Sequence, residues 1–283
     1  MRPFTAIFTA LVIAALAGCG SSDSSESTTI VSPQLPAEGE LRLGELTVDS
    51  EAVGKPLEVS TIAPVGGGST GKRPLLVFLH GAGGSNESSL ENEAVLTGLE
   101  QLGDEAPVMA FPEGEESWWH DRASGDWGEY VVREVIPTIS RRFRTDPRRV
   151  AIGGISMGGY GAYHLGLAYP HRFCAVGGHS AGLWLDPSEE YPGAFDDQAD
   201  YERNDVIAAV EADPDAFGDV PVWNDYGDQD WFVPGNAAFV AALESSATTP
   251  LTAHVWPGGH DQSYWDAHFP EYLNFYAKSL AVC

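Results

Sequence analysis

Apolar residues along the chain form short unbroken runs that alternate with longer segments of helical spacing. Residues 74–79 and 108–111 are unbroken apolar runs, as expected of strands that are covered on both faces. Residues 130–143 instead carry apolar side chains at helical spacing, and Pro137 is expected to kink this helix. A closing helix is predicted over residues 263–281. Further strands are predicted at residues 41–48, 57–65, 149–153, 174–178, 220–226 and 251–256.

This alternation of strands and helices predicts an α/β fold, with a mainly parallel sheet covered by helices on both faces. Residues 39–283 are long enough to form one such domain with a substantial core. In open sheets of this kind, ligands bind beyond the carboxyl ends of the strands. We therefore expect the functional residues in the loops that follow strands.

Ser156 is the centre of a Gly-Ile-Ser-Met-Gly segment at residues 154–158, between a predicted strand and a predicted helix that Pro170 ends. A serine on such a sharp turn has a strained backbone and an exposed hydroxyl. Flanking glycines leave room for the neighbouring strand and helix. The alternative is a purely structural turn, because a chain with 32 glycines contains such segments by chance. The strand and helix on either side favour a nucleophile.

A serine hydroxyl is a weak nucleophile and needs a positioned base. His260 lies in a glycine-rich loop after a predicted strand, where a functional side chain is expected. The alternative is a loop histidine that only binds backbone. His254 falls in a strand and His268 in a helix, so both fit the role poorly, and His164 is expected to pack within its helix. His260 is the predicted base.

Two acids compete to orient that base, and both follow the strand predicted at residues 220–226. Asp230 lies within a Gly-x-x-Asp-x-x-Val-Pro segment that resembles the turn carrying the acid in many α/β-hydrolases. Asp228 is the alternative, and it is expected to shape the turn through its own backbone contacts. The spacing favours Asp230. The chain order of serine, acid and histidine is the one found in this kind of sheet.

Backbone N–H groups that stabilise a developing oxyanion are predicted at two positions. One is Met157, directly after the serine. The other is Ala82, in the His-Gly-Ala-Gly-Gly loop at residues 80–84, which follows the strand at 74–79. Glycines in that loop allow the close backbone approach that such a hole requires.

Taken together, residues 141–162, residues 258–265 and the loop at His80 resemble the esterase group of α/β-hydrolases. That group includes esterase D-like enzymes, feruloyl esterases, polyester depolymerases and mycolyltransferases. The resemblance covers roughly residues 70–280. It implies the α/β-hydrolase fold, a triad of Ser156, Asp230 and His260, and no metal or organic cofactor. It leaves the acyl group and the acceptor open.

The N-terminal segment is distinct from the predicted domain. Residues 4–16 form an apolar stretch too short to span a bilayer comfortably. The Leu-Ala-Gly-Cys sequence ending at Cys19 resembles the lipobox of bacterial lipoproteins. We predict a lipoprotein signal peptide at 1–18, a lipid-modified Cys19 and a flexible polar tether to residue 38. The protein would then be anchored to a bacterial membrane, outside the cytoplasm. The alternatives are a signal peptide cut near Ala17 and an uncleaved anchor.

The formal net charge of −26 excludes nucleic acid as the expected partner and disfavours polyanionic substrates. Much of the acid falls at residues 186–219, which are expected to form a solvated acidic surface; an acidic recognition patch is the alternative. The connection at residues 181–220 is a candidate lid. Cys174 and Cys283 could pair in an oxidising compartment or remain thiols. The chain has no Cys-x-x-Cys and no other zinc spacing, so no metal site is predicted.

These patterns predict a serine carboxylic-ester hydrolase that acts through an acyl-enzyme. Two alternatives stay open: transfer of the acyl group to a sugar, and a non-catalytic surface protein that keeps the fold for binding. Tryptophans in predicted loops are expected either to stack on sugar or aryl groups or to fill a loop-built core. These tryptophans are Trp118, Trp119, Trp127, Trp184 and Trp231.

Overall fold

The computed structural model describes residues 40–66, 71–90, 92–189 and 192–283. The predicted signal peptide, the lipid site at Cys19 and the tether lie outside the described residues, so these assignments and the domain boundary at residue 39 stay predictions. Within the described ranges, no helix is both long and apolar enough to cross a membrane.

Ten strands occur in the described residues. In chain order they are β1 (Leu41–Ser50), β2 (Lys55–Pro64), β3 (Leu75–Leu79), β4 (Val108–Pro112), β5 (Asp121–Arg122), β6 (Gly125–Asp126), β7 (Val150–Ile155), β8 (Val176–His179), β9 (Val222–Gly227) and β10 (Leu251–Trp256). Eight of them form one sheet in the order β1-β2-β4-β3-β7-β8-β9-β10, and β5 pairs with β6. β2 runs antiparallel to β1 and β4, and every other neighbouring pair in the large sheet is parallel. The predicted mainly parallel sheet is confirmed.

Helices cover both faces of this sheet, as predicted. They are α1 (Glu93–Leu102), α2 (Trp127–Glu129), α3 (Ile136–Phe143), α4 (Met157–Ala168), α5 (Gln198–Asn204), α6 (Val206–Ala212), α7 (Val233–Leu243) and α8 (Gln262–Val282). Side chains of β3 alternate between the two faces: Leu76 and Phe78 pack with α1 and α8, whereas Val77 packs with the helices of the opposite layer. Strands buried on both faces explain the unbroken apolar runs in the sequence.

The helix predicted over residues 130–143 differs from the expectation around Pro137. A π-helix at Tyr130–Val135 precedes α3, and Pro137 lies in the first turn of α3. Because proline has no N–H to donate, the helical hydrogen-bond series is interrupted at this residue. The structure therefore has a π-helix directly before Pro137, and the predicted kink stays a prediction.

Cys174 and Cys283 form a disulfide, with their Cα atoms 5.8 Å apart. This settles the question that the sequence left open for these two residues. The bond ties the end of α8 to the segment entering β8, at the sheet edge opposite the carboxyl ends of the parallel strands. The connection after β8 is also tied to the body of the domain, because the Tyr160 hydroxyl on α4 donates to the Asn204 carbonyl at 2.9 Å.

Candidate active site

Ser156 occupies the turn between β7 and α4, where the sequence predicted a nucleophile. Its backbone is strained, with φ 57° and ψ −116°, a combination that is costly for a residue with a side chain. The flanking glycines are required by space. A Cβ on Gly154 would lie 2.5 Å from the backbone carbon of Gly158, and a Cβ on Gly158 would overlap the Leu79 carbonyl. The turn therefore needs the Gly-x-Ser-x-Gly pattern for its geometry.

The structure brings Ser156, His260 and Asp230 into one hydrogen-bonded series. The Nε2 atom of His260 lies 2.9 Å from Ser156 Oγ, and its Nδ1 atom lies 2.9 Å from Asp230 Oδ2. The Asp230 side chain is fully buried, and the His260 side chain is 8% exposed. Because the carboxylate accepts at Nδ1, that nitrogen carries a proton and Nε2 is free to accept one from the serine.

Loops at the carboxyl ends of neighbouring strands supply the predicted acid and the predicted base. Asp230 lies between β9 and α7, where its Oδ1 accepts the Phe232 N–H at 2.8 Å. His260 lies between β10 and α8, and Asp261 directly after it caps α8 by accepting the Tyr264 N–H at 3.1 Å. Hydrogen bonds from the Ser263 side chain and the Tyr264 N–H hold the pKa of Asp261 below its ordinary value. The cap fixes the end of the loop that carries His260.

Asp228, the competing acid, contacts the histidine loop rather than the histidine ring. Its Oδ1 accepts the Gly258 N–H at 3.1 Å, which joins the acid loop to the loop that carries His260. Asp228 is exposed, whereas Asp230 is buried against His260. The geometry therefore places the carboxylate of Asp230 on the His260 ring and that of Asp228 in the turn.

The loop after β3 passes directly over Ser156. A Cβ on Gly81 would come within 3.2 Å of the Ser156 Cβ atom. Ala82 lines a cavity of about 330 Å³ together with Ser156 and His260. Met157 is the first residue of α4, so its N–H has no partner within that helix. Both predicted oxyanion donors thus belong to backbone segments that adjoin the serine.

The sequence did not predict the hydrogen bonds that hold this loop in place. The Gly114 N–H donates to His80 Nε2 at 3.0 Å, and the His80 Nδ1–H donates to the Gly81 carbonyl at 2.9 Å. The indole N–H of Trp119 donates to the His80 carbonyl at 3.2 Å. The Gly83 N–H donates to Glu116 Oε1 at 2.6 Å. The segment after β4 therefore holds the loop from several sides, and the run of polar and aromatic residues after Pro112 was its only signal.

Most of the loop tryptophans fill the core. Trp118, Trp119 and Trp127 are at most 1% exposed, whereas Trp231 is 72% exposed. The Trp231 ring centroid lies 5.0 Å from that of His260. Trp265, which was not singled out in the sequence, lines the cavity beside Ser156. The aromatic surface open to a substrate therefore flanks His260.

No group of three or more histidine, cysteine, aspartate or glutamate side chains among the described residues could hold a metal ion. The polar centre of the site is the Ser156–His260–Asp230 series with its surrounding backbone N–H groups. This arrangement can deliver a serine oxygen to an electrophile and move its proton to and from His260 Nε2.

Residues 50–276 match the protein family described as "Putative esterase". Among curated proteins, an acetyl esterase of Caldicellulosiruptor saccharolyticus is 25% identical over 192 residues, which cover 60% of this chain and 72% of that protein. A Mycobacterium tuberculosis esterase is 24% identical over 267 residues, which cover 79% of this chain. The chain matches 56% of the length of that esterase.

Solved structures show the same fold. A ferulic acid esterase superposes with a TM-score of 0.73 at 23% identity, over 85% of this chain and 98% of that one. An S-formylglutathione hydrolase from Agrobacterium tumefaciens superposes with a TM-score of 0.70 at 21% identity, over 87% of this chain and 98% of that one. The fold is therefore the α/β-hydrolase fold.

Proposed function

The chain belongs to the esterase family that its sequence matches, and we propose that it is a serine carboxylic-ester hydrolase acting through an acyl-enzyme. The observation that carries this proposal is the hydrogen-bonded series from Asp230 through His260 to Ser156, with 2.9 Å at each step. A serine, a base and a buried acid in this order form the arrangement that activates a hydroxyl for acyl transfer.

In the first half of the proposed reaction, Ser156 Oγ attacks the ester carbonyl carbon while His260 Nε2 takes the hydroxyl proton. The carbonyl oxygen becomes an oxyanion, which the N–H groups of Met157 and Ala82 stabilise. The C–O bond to the leaving alcohol then breaks, and His260 returns the proton to that oxygen. Asp230 orients the imidazole and stabilises its charged form throughout.

In the second half, a water molecule replaces the alcohol. His260 takes a proton from the water as its oxygen attacks the acyl carbon, and the same N–H groups hold the second oxyanion. The bond to Ser156 Oγ then breaks, the serine regains its proton from His260, and the free acid leaves. Each step uses the same base in turn as acceptor and donor.

A fluorophosphonate probe tests the nucleophile. We expect the folded wild type to be labelled and Ser156→Ala to remain unlabelled. Ser88 lines the same cavity, so Ser88→Ala is the matched control and should retain labelling. An unlabelled wild type contradicts the proposal and favours a non-catalytic binding protein of this fold. Equal labelling of Ser156→Ala also contradicts it, because the reactive group would then be another residue.

Product analysis tests the fate of the acyl group. Acetyl and feruloyl esters are the first substrates to compare, because an acetyl esterase and a ferulic acid esterase are among the similar proteins. We expect release of the free acid to persist at the same rate when sugar alcohols are added. Acylated sugar as the main product would instead indicate transfer, which uses the same acyl-enzyme.

We further propose that the enzyme works outside the cytoplasm of a bacterium, on a lipid anchor at Cys19. Two features support this: the lipobox-like sequence ending at Cys19, and the disulfide between Cys174 and Cys283, a bond typical of oxidising compartments. Full-length protein produced in a bacterium fed with an alkyne fatty acid should carry the label in the membrane fraction. Cys19→Ser should lose it, and label retained by that variant contradicts the proposal.

A further inference from the structure

A second histidine–aspartate pair lies in the core next to the proposed site, and the mechanism does not use it. His179 ends β8, Asp225 lies opposite it on β9, and both are 0% exposed. The His179 Nδ1–H donates to Asp225 Oδ1 at 2.7 Å. A buried carboxylate at this depth needs a structural or functional reason, because a buried charge is costly unless it is fully hydrogen-bonded.

Asp225 accepts four hydrogen bonds, which fills the acceptor capacity of a carboxylate. Besides His179, the Trp223 indole N–H donates to Oδ1 at 2.7 Å. The hydroxyls of Tyr264 and Tyr272 donate to Oδ2 at 2.9 Å and 2.8 Å. Burial, and then the charge of Asp225, raise the pKa of both phenols, so they remain donors.

One side of this cluster holds the turn that carries Ser156. The Ser156 N–H donates to the His179 carbonyl at 3.0 Å, and the Ser180 N–H donates to the Asp225 carbonyl at 2.7 Å. The Tyr276 hydroxyl lies 2.9 Å from His179 Nε2. The position of the His179 ring, fixed between Asp225 and Tyr276, thus sets the backbone to which Ser156 is bonded.

The position of Tyr276 explains why Gly153, on the strand before the serine turn, is a glycine. A Cβ on Gly153 or on Gly177 would overlap the Tyr276 hydroxyl. The two glycines on adjacent strands β7 and β8 therefore open the space through which Tyr276 reaches His179.

The other side of the cluster holds the loop that carries His260. Tyr264 lies in the first turn of α8, and its ring packs on the loop, since a Cβ on Gly258 would lie 2.6 Å from the ring Cδ2 atom. Its hydroxyl is the group that Asp225 Oδ2 binds. Asp225 also belongs to β9, the strand that leads into the loop of Asp230.

We propose that Asp225 is a positioning residue that sets the distance between Ser156 and His260. It acts on the serine turn through His179 and on the histidine loop through Tyr264. This inference rests on the proposed roles of Ser156 and His260. The carboxylate does not touch the substrate, and its effect is on the geometry of the groups that do.

Two hydroxyl deletions form the test. Removing Asp225 itself risks unfolding the protein, whereas Tyr264→Phe removes one hydroxyl from its carboxylate and keeps the ring that packs on Gly258 in the histidine loop. Tyr169→Phe is the control, because the Tyr169 hydroxyl donates to Glu129 Oε1 at 3.0 Å and does not contact the cluster around Asp225. The full chain of each variant is compared with the wild type in kcat and KM for p-nitrophenyl acetate, and in Tm.

We expect Tyr264→Phe to lower kcat by about tenfold or more, with KM within about twofold, because a small misplacement of a base slows the chemical step strongly. Tyr169→Phe also removes one hydroxyl hydrogen bond, and it should keep kcat within about twofold of the wild type. Equal kcat losses in the two variants, or an unchanged kcat in Tyr264→Phe, overturn the inference. A wild type without esterase activity overturns the proposed function together with this inference. An active wild type with the kcat pattern above overturns the inference alone.

Discussion

Asp230 Oδ2 lies 2.9 Å from His260 Nδ1, although the two residues stand 30 positions apart in the chain. The contact forms because β9 and β10 are parallel neighbours, so the loops after them meet at one edge of the sheet. Asp228, two residues before Asp230 in the same loop, instead accepts the Gly258 N–H. One loop therefore carries two carboxylates with different neighbours.

Replacing these two carboxylates separately should give very different losses. Asp230→Asn should lower kcat by about 10⁴-fold, because an amide opposite Nδ1 favours the wrong histidine tautomer. Asp228→Asn keeps an oxygen that can accept the Gly258 N–H, so kcat should stay within about tenfold of the wild type. Steady-state hydrolysis of p-nitrophenyl acetate measures both. A larger loss in Asp228→Asn would assign the acid to that residue instead.

Removal of the exposed indole beside the base should weaken binding of ring-bearing substrates. Trp231 is 72% exposed and its ring lies 5.0 Å from that of His260. For Trp231→Ala we expect KM for aryl acetates to rise about three- to tenfold, the effect of losing one stacking contact, while KM for ethyl acetate changes little. Val255, 55% exposed on β10, gives the control Val255→Ala. Equal KM changes for both esters would argue against stacking.

Acid should destabilise the fold through His164, which is half-buried and stacks on Tyr160. Burial, and then the nearby His120, lower the pKa of His164 from 6.5 to about 4. Between pH 6.5 and about pH 4, the unfolded chain binds more protons at this histidine than the folded chain does. The free energy of unfolding therefore decreases as the pH falls through this range. We expect this group to remove about 1 to 3 kcal/mol between pH 7 and pH 4.

Urea unfolding at several pH values checks the contribution of His164. His164→Phe should flatten the pH dependence, and what remains should include His120, whose pKa burial also lowers. The exposed His171 provides the matched variant His171→Asn, since asparagine tolerates the φ of 62° at this position, and this variant should keep the wild-type pH slope. An unchanged slope in His164→Phe would show that other groups control the acid response.

Loss of the disulfide should affect stability and spare catalysis. The Cys174–Cys283 bond closes a long loop, and removing such a bond typically costs about 2–5 kcal/mol. It lies at the sheet edge opposite the nucleophile turn, so Cys174→Ser with Cys283→Ser should keep kcat within about twofold at 25 °C. Urea unfolding with and without dithiothreitol measures the effect: reductant should lower the stability of the wild type and leave the double variant unchanged. A double variant that still responds to reductant would contradict this.

Local patterns in the sequence were sufficient to predict much of the architecture. Buried strands need unbroken apolar runs, and the strained turn at Ser156 needs glycines on both sides, so each left a signature within a few residues. The chain order of Ser156, Asp230 and His260 was also visible, because each follows a strand. The π-helix before Pro137 was not visible in the sequence, since its wide turn has the same residue pattern as an ordinary helix.

Contacts between distant segments were decided only by the tertiary structure. The sequence favoured Asp230 as the acid, but its contact with His260, the pairing of the cysteines and the exposure of Trp231 depend on which strands lie side by side. The cluster around Asp225 had no signature, because a polar residue in a strand gives no sign of the partners that bury it. The sequence by itself determined the turns and strands through local backbone preferences and apolar burial. The order of strands in the sheet decided the rest, because it alone brings side chains from distant positions within hydrogen-bonding distance.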